Sequence, residues 1–214
     1  MHEGLGAASA VAPSSAAACG TLADHCYGVY QVANGEGHHG AQATLQASCQ
    51  YVDNPLGSQI ATNEVWVTNY RSGYWIEAGS LVGTGSFYRD NTVRYFTATG
   101  GDGTFNEYQY ANGPGTGTFT ATIRSRGGGQ WDTNVGGNAG TTIGILPTTV
   151  WNLSQGIEAT AGAHVAAHGS MAYWDVSGGF HQGWTQSGGS YNINSPAYFN
   201  WTSTGNSYNA GMNC

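Results

Sequence analysis

Two glutamates stand out among the acidic residues because small and apolar residues surround them. Glu77 lies in Tyr74-Trp-Ile-Glu-Ala-Gly79, and Glu158 lies in Gly156-Ile-Glu-Ala-Thr-Ala-Gly162. Such neighbours desolvate a carboxylate, which raises its pKa, and they leave space beside it. Two carboxyl groups held together can divide acid and base roles, because one keeps its proton after the other has lost its own. The sequence therefore singles out Glu77 and Glu158 as candidate acid–base residues.

The other acidic residues have simpler explanations. Glu3 and Glu36 fall in a predicted tail and a predicted loop. Glu64 and Glu107 lie inside strand-like runs, where a glutamate most often faces solvent. Five aspartates flank turns or strand ends, where the side chain bonds its own backbone: Asp24, Asp53, Asp90, Asp102 and Asp132.

Other catalytic chemistries lack their usual residue patterns. The chain contains no GxSxG and no HExxH sequence, so neither a serine nucleophile elbow nor that zinc site is expected. His164 and His168 are four positions apart within a strand-like run. Residues at that spacing in a strand share a face but stand about 13 Å apart. We therefore expect no metal ion and no cofactor.

The cysteines indicate an oxidising compartment. Cys19, Cys26, Cys49 and Cys214 can form two disulfides in three possible pairings, and no CxxC pair is present. An even set of this kind is typical of secreted proteins, so we expect an extracellular location and no cysteine nucleophile. No run of 18 apolar residues occurs in the sequence, so no membrane association is expected.

Composition favours strands joined by tight turns. The 214 residues include 35 Gly, 13 Tyr and 7 Trp, and no Lys. A net charge of -7 argues against a nucleic-acid partner, because phosphates need cations. The length suits one domain. We expect a flexible N-terminal extension over residues 1–18, a single β-sandwich catalytic domain over residues 19–214, and a monomer.

The hydrophobic pattern predicts an antiparallel all-β sandwich with little helix. Two strands, Gly28–Val32 and Gly40–Tyr51, are predicted to flank a turn at Asn34–Gly37. In the next predicted strand, Ile60–Asn69, Val65 and Val67 alternate with Glu64, Trp66 and Thr68. A short helix is predicted within Ile145–Leu153, with Pro147 in its first turn. Many short strands at about ten-residue spacing are typical of a sandwich or barrel.

Several motifs resemble those of the neprosin family of glutamic peptidases. The stretch Tyr74–Gly79, followed by Asp90-Asn-Thr-Val-Arg-Tyr-Phe-Thr97, is similar to an Ile-Glu-Ala-Gly segment that precedes Asp-Asn-Thr-Arg-Leu-Phe-Thr in that family. Gly156-Ile-Glu158 takes the place of the family's Gly-Gly-Glu. Other similar stretches, which extend the resemblance from about residue 27 to residue 180, are His39–Thr44, Gln59–Val67, Gly129–Trp131, Ile143–Gly144 and Pro147.

The resemblance implies a concanavalin-like jelly roll and an endopeptidase that acts at acidic pH, with a preference for cleavage after proline. It places the two catalytic glutamates on Glu77 and Glu158, which would activate water for attack on a peptide or protein substrate. Four nearby residues are predicted to bind substrate: Tyr74, Trp75, Gln155 and Tyr173.

Two rival functions use the same fold. Concanavalin-like sandwiches often hydrolyse glycosides with a glutamate pair, and the tryptophans could line a sugar groove. The glycosidase pair usually lies on one strand, whereas Glu77 and Glu158 are far apart in the sequence. The second rival is a carbohydrate-binding module that uses exposed aromatic residues without catalysis.

Overall fold

Strands form where β-branched and aromatic residues alternate between glycine-rich turns. The computed structural model describes residues 25–69, 71–84, 88–182, 189–193, 200–204, 207–212 and 214. Those residues form 14 strands and no helix, so they include no helix that could cross a membrane. The strands are β1 (Cys26–Val52), β2 (Ile60–Asn69), β3 (Tyr74–Thr84), β4 (Arg89–Gly101), β5 (Thr104–Gln109), β6 (Thr118–Gly127), β7 (Gln130–Val135), β8 (Asn138–Ile143), β9 (Val150–Ala159), β10 (Ala163–Asp175), β11 (Phe180–Gln182), β12 (Gly189–Ile193), β13 (Asn200–Thr204) and β14 (Ser207–Met212).

The strands make two layers that share the long strand β1. One layer, the front sheet, has the order β12-β1-β9-β2-β3-β4-β5. The other layer, the back sheet, has the order β8-β7-β6-β1-β10-β14-β13. Every ladder between the described strands is antiparallel. The predicted antiparallel all-β sandwich is therefore confirmed.

Strand β1 passes from one sheet to the other where a turn was predicted. Its first residues, Cys26 to Ala33, pair with β9 in the front sheet, and Gly40 to Val52 pair with β10 in the back sheet. The ladder to β9 shifts register between Ala33 and His38. The prediction of a turn at Asn34–Gly37 was wrong, because an irregular extended stretch is enough to carry the strand between layers.

The core lies between the two sheets and follows the two-residue alternation of the strands. Val65, Val67 and Ile76 of the front sheet pack with Ile123 and Trp131 of the back sheet in one buried cluster. The prediction that Val65 and Val67 share a face is confirmed. Because successive side chains of a strand point to opposite faces, the residues between them project from the outer face of the front sheet.

The predicted helix within Ile145–Leu153 is absent, and strand β9 begins at Val150. Leu146, Val150 and Leu153 are all buried in the core, and the chain before Val150 bends. The Trp131 indole N–H donates to the carbonyl oxygen of Pro147 over 2.9 Å, which holds this bend against strand β7. Tertiary packing thus overrides the local preference for a helical turn.

A disulfide ties the C-terminus to the back sheet. Cys49 of β1 is bonded to Cys214, with the two Cα atoms 6.6 Å apart. Closing a loop of 165 residues stabilises a fold by about 5 kcal/mol in the chain-entropy model. Cys26 is also disulfide-bonded, whereas Cys19 and the predicted extension over residues 1–18 lie outside the described residues.

Candidate active site

Three glutamates project from adjacent strands on the outer face of the front sheet. Glu77 comes from β3, Glu64 from β2 and Glu158 from β9. Each alternates with core residues of its own strand, such as Ile76 beside Glu77 and Ile157 beside Glu158. The fold therefore places all three carboxyl groups on one surface.

The strand registers set the order of the three glutamates along a diagonal. Glu77 is opposite Trp66, two residues from Glu64 on the neighbouring strand. Glu64 is opposite Gly156, two residues from Glu158 on the strand beyond. Diagonal neighbours in an antiparallel sheet are about 7–8 Å apart. Glu64 accordingly lies between the two predicted catalytic residues.

Glycines on both neighbouring strands make room for Glu64. Gly79 of β3 and Gly156 of β9 each stand directly opposite it. A Cβ atom on Gly79 would lie 2.6 Å from the Cβ atom of Glu64, and one on Gly156 would lie 2.1 Å from the carbonyl oxygen of Gly28. Only glycine allows the backbones to approach this closely. The small residues flanking the glutamates in sequence thus become the floor of the site.

Glu158 is held by Tyr27 of strand β1 and by His25, which lies just before that strand. The Tyr27 hydroxyl donates to Glu158 Oε1 over 2.8 Å, and His25 Nδ1 contacts the same oxygen. Burial and the Glu158 charge raise the pKa of Tyr27, so this hydroxyl remains a donor at any pH at which the protein works. The second oxygen, Oε2, has no hydrogen-bond partner among the described residues, so it can receive a water molecule.

Thr62 connects Glu158 to Glu64. Its hydroxyl accepts a hydrogen bond from the Glu158 backbone N–H over 2.9 Å and donates to Glu64 Oε1 over 2.6 Å. Glu64 is 1% exposed, and its Oε2 is buried and has no hydrogen-bond partner among the described residues. Desolvation first, and then the Glu158 charge, raise the pKa of Glu64 well above its usual range.

Glu77 differs from the other two because its carboxyl group is partly open and makes no hydrogen bond within the described part of the chain. Desolvation raises the pKa of Glu77 well above its usual range, and the charges of Glu64 and Glu158 add to the effect. Carboxyl groups held close together repel one another when they are ionised, so the ionisation of one disfavours the ionisation of the next. The cluster therefore keeps a proton on Glu77 to higher pH than an isolated glutamate would.

An aromatic wall stands beside Glu77 on the same face. Trp75 packs with Phe105 of β5, with ring centroids 5.8 Å apart. The side chain of Phe105 is 59% exposed. A Cβ atom on Gly100 would lie 2.2 Å from the Trp75 ring, so glycine at that position lets the indole cover strand β4. The wall offers an apolar surface next to the carboxyl group.

The structure separates the four residues that were predicted to bind substrate. Trp75 lies next to Glu77 on the outer face, two residues away on the same strand. Tyr74 packs against the core cluster, Tyr173 is buried within it, and Gln155 is fully buried. Gln155 alternates with Glu158 along β9 and so faces the opposite way. A molecule in front of the glutamates can reach Trp75 but not Gln155 or Tyr173.

Sequence analysis missed three residues that shape the site. Glu64 was predicted to be an ordinary solvent-facing glutamate, although it shares a face with Trp66 in the predicted strand. Thr62 extends that same face by two residues. Tyr27 is opposite Glu158 only because β1 pairs with β9, and this long-range pairing leaves no local signal.

The two histidines considered for metal binding have other partners. His164 Nε2 lies 2.9 Å from Asp53 Oδ1, and its ring stacks on Tyr51. His168 Nδ1 lies 3.1 Å from Asn209 Oδ1. Both occupy strand β10, as the sequence pattern predicted. In the part of the chain that the structure describes, no group of three or more His, Cys, Asp or Glu side chains could hold a metal ion.

Comparisons with known proteins connect this chain to glutamic peptidases through its fold. No family model matches the sequence, and no curated protein matches it. The structure of scytalido-glutamic peptidase with a peptide-based transition-state analog is similar, with a TM-score of 0.57 and 9% identity over 88% of this chain and 98% of that one. SCP-B, an eqolisin-family peptidase in complex with the tripeptide Ala-Ile-His, gives a TM-score of 0.53 and 10% identity over the same shares. At such low identity, the comparisons show that this chain has the same fold as these peptidases.

Proposed function

We propose that this chain is a glutamic endopeptidase that hydrolyses peptide bonds at acidic pH with Glu77 and Glu158. The observation that carries the proposal is the diagonal of carboxyl groups on the outer face, in which Glu77 and Glu158 each have an oxygen free for another molecule. Two peptidases of the same fold, solved with peptide ligands, support it, as do the motifs similar to neprosin.

The two glutamates have different surroundings, which suggests different roles. Glu158 Oε1 is occupied by Tyr27 and His25, so the carboxylate is fixed with Oε2 open to water. Glu77 keeps its proton, because burial and the neighbouring charges raise its pKa. We assign Glu158 as the general base and Glu77 as the general acid.

Hydrolysis then follows in two steps. Glu158 takes a proton from water as the water oxygen attacks the scissile carbonyl carbon, and Glu77 donates its proton to the carbonyl oxygen. A tetrahedral diol results, with Glu158 protonated and Glu77 ionised. Glu158 then passes its proton to the leaving nitrogen as the C–N bond breaks, and Glu77 recovers a proton from the collapsing diol. The enzyme ends in its starting protonation state.

The substrate is a peptide or an unfolded protein segment, and the aromatic wall of Trp75 and Phe105 bears on specificity. Aromatic faces beside the acid favour an apolar or ring-shaped side chain, and this includes proline, the preference implied by the neprosin resemblance. The Cys49–Cys214 disulfide accords with action outside the cytoplasm. The proposal is for a secreted enzyme.

Isosteric variants test the catalytic pair. We expect Glu77→Gln and Glu158→Gln each to lower kcat by about 10²–10⁴-fold on a mixed peptide library at pH 3–6, the usual contribution of general acid–base catalysis. Glu107→Gln serves as the matched control, because Glu107 lies on the same face at strand β5 and accepts a hydrogen bond from Gln109. It should retain most of the wild-type activity.

Mass spectrometry of the products gives both the rate and the cleaved bonds. If either Glu77→Gln or Glu158→Gln cleaves peptides at the wild-type rate, the catalytic pair is wrongly assigned. Parallel incubation with mixed β-glucans and carrageenans tests the carbohydrate alternative. Hydrolysis of a polysaccharide without peptide cleavage would replace the proposed function with a glycosidase.

A further inference from the structure

Glu64 is a fully buried carboxyl group for which the two-glutamate mechanism has no use. It lies between Glu77 and Glu158 in the strand registers and is 1% exposed. Substrate in front of the sheet cannot touch it. Burying a carboxyl group costs free energy. The position of Glu64 between Glu77 and Glu158 therefore indicates a specific role.

The hydrogen bonds of Glu64 distinguish its two oxygens. Oε1 accepts from the Thr62 hydroxyl over 2.6 Å. The Thr62 hydroxyl itself accepts from the Glu158 backbone N–H, which leaves its own hydrogen for Glu64. Oε2 is buried and has no hydrogen-bond partner among the described residues. A proton on Oε2 removes an unpaired charge from the interior, and a neutral hydroxyl there costs less than an unpaired carboxylate.

The titratable groups that face Glu64 are mostly acidic. Glu77 faces it from β3, Glu158 from β9 and Glu107 from β5, and each can only disfavour its ionisation. Two phenols lie nearby, the half-buried Tyr27 of β1 and the fully buried Tyr208 of β14. The imidazole of His25 contacts Glu158. Within the described residues, no salt bridge forms with Glu64.

We propose that Glu64 is a positioning residue that carries a proton on Oε2 at the pH at which the Glu77–Glu158 pair works. As the pH rises further, Glu64 ionises, and its negative charge then delays the loss of the proton from Glu77. The inference rests on the proposed function. In its neutral form Glu64 separates the two reacting carboxyl groups without adding charge. Once ionised, it holds the proton of Glu77 by repulsion, because each additional charge in a carboxyl cluster disfavours the next.

Glutamine is the natural mimic of the protonated state. In Glu64→Gln, the amide oxygen can accept from Thr62, and the NH₂ group takes the position of the protonated Oε2. We expect kcat at the acid optimum to stay within about threefold of wild type. The alkaline limb of the kcat profile should move to lower pH by about one unit, because the charge that retained the Glu77 proton is gone.

Two outcomes of the kinetics would overturn the inference. A loss of kcat in Glu64→Gln as large as that in Glu77→Gln, with the fold intact by circular dichroism, would make Glu64 an ionised catalytic group. An unchanged alkaline limb would show that it has no influence on Glu77. Glu107→Gln is again the control, and its more distant charge should shift the limb less than Glu64→Gln does.

A spectroscopic readout separates this inference from the proposed function. Infrared spectra of the wild type at pH 6 should contain a protonated carboxyl band that Glu64→Gln lacks, whether or not the protein cleaves peptides. Carbon-13 NMR of labelled glutamate carboxyl groups gives the same information in the wild type, should Glu64→Gln fail to fold. A Glu64 carboxyl that is ionised at pH 6 in either measurement rules the inference out.

Discussion

At the scale of single residues, the site depends on how each glutamate is solvated and bonded. Glu77 is partly open and has no hydrogen bond in the described part of the chain, Glu158 is fixed through one oxygen, and Glu64 is buried. Burial raises the pKa of both Glu64 and Glu77. The proposed division between acid and base rests on these surroundings and not on the sequence motifs.

Tyr27 gives a prediction at this scale. Its hydroxyl donates to Glu158 Oε1 over 2.8 Å. A hydrogen bond to a charged group is worth about 1.5–3 kcal/mol, so Tyr27→Phe should lower kcat by about tenfold or more and lower the free energy of unfolding by no more than about 3 kcal/mol. Steady-state kinetics at the acid optimum measure the effect. Tyr51→Phe in the back sheet is the control, and equal rates for the two variants would show that Tyr27 does not orient Glu158.

At the scale of strands, the motifs similar to neprosin have structural explanations. Asn91, in the Asp-Asn-Thr stretch, bonds both the N–H and the C=O of Val52 through its amide, which joins β4 to the end of β1. Arg94 makes two hydrogen bonds to Asp90, one of 2.5 Å and one of 2.9 Å. These residues stabilise the front sheet at a place remote from the glutamates. This part of the resemblance therefore concerns the fold.

Gly79 gives a prediction for the central strands. An added Cβ atom would lie 2.4 Å from the Asn63 carbonyl oxygen and 2.6 Å from the Glu64 Cβ atom, so β2 and β3 must separate. Gly79→Ala should lower the free energy of unfolding by about 1–3 kcal/mol, as overpacking usually does. Activity should fall with it, because Glu64 and Glu77 would move apart.

Urea denaturation measures the stability, and Gly211→Ala is the matched control. A Cβ atom at Gly211 would meet its nearest neighbour, the Val165 carbonyl oxygen, at an ordinary 3.6 Å. We expect Gly211→Ala to unfold at a urea concentration close to that of wild type. If Gly79→Ala matches it, the close approach of β2 and β3 is not needed for the site.

At the scale of the whole molecule, buried titratable groups act on stability with opposite signs. The pKa values of Glu64 and Glu77 are raised in the folded protein, chiefly by desolvation. Their contribution to stability is therefore fully present below the usual glutamate pKa and is lost as pH rises through the folded values. His38 is also buried, which lowers its pKa to about 4. Its contribution is lost as pH falls from about 6.5 to 4.

Between about pH 4 and 6.5, a rise in pH increases the stability contributed by His38 and decreases the stability contributed by Glu64 and Glu77. Above that range, of these three groups, the glutamates alone still change the stability. The free energy of unfolding should therefore fall as pH rises from 6.5 to 8, by an amount on the order of 1–3 kcal/mol. Glu77→Gln should reduce this fall, because glutamine cannot ionise. Urea titrations at pH 5, 6.5 and 8 measure both curves. Parallel curves for wild type and Glu77→Gln would mean that Glu77 is already ionised in the fold at pH 6.5.

The sequence by itself determined the strand class and the two-residue alternation. Val65 and Val67 could be placed on one face from their spacing alone, because a strand has a local period. It also singled out Glu77 and Glu158 through their small neighbours, and the cysteine set indicated an oxidising location. The pairing of Cys49 with Cys214 remained open, since connectivity depends on which strands meet.

Only the tertiary structure decided what lies beside each glutamate. Residue spacing within one strand says nothing about which strand comes next, so the positions of Tyr27 against Glu158 and of Glu64 between β3 and β9 depend on long-range registers. The same registers place Gln155 and Tyr173 inside the sandwich. Strand β1 continues through Asn34–Gly37, where a turn was predicted. The chemistry of the site therefore comes from cross-strand neighbours, which no local pattern of the sequence encodes.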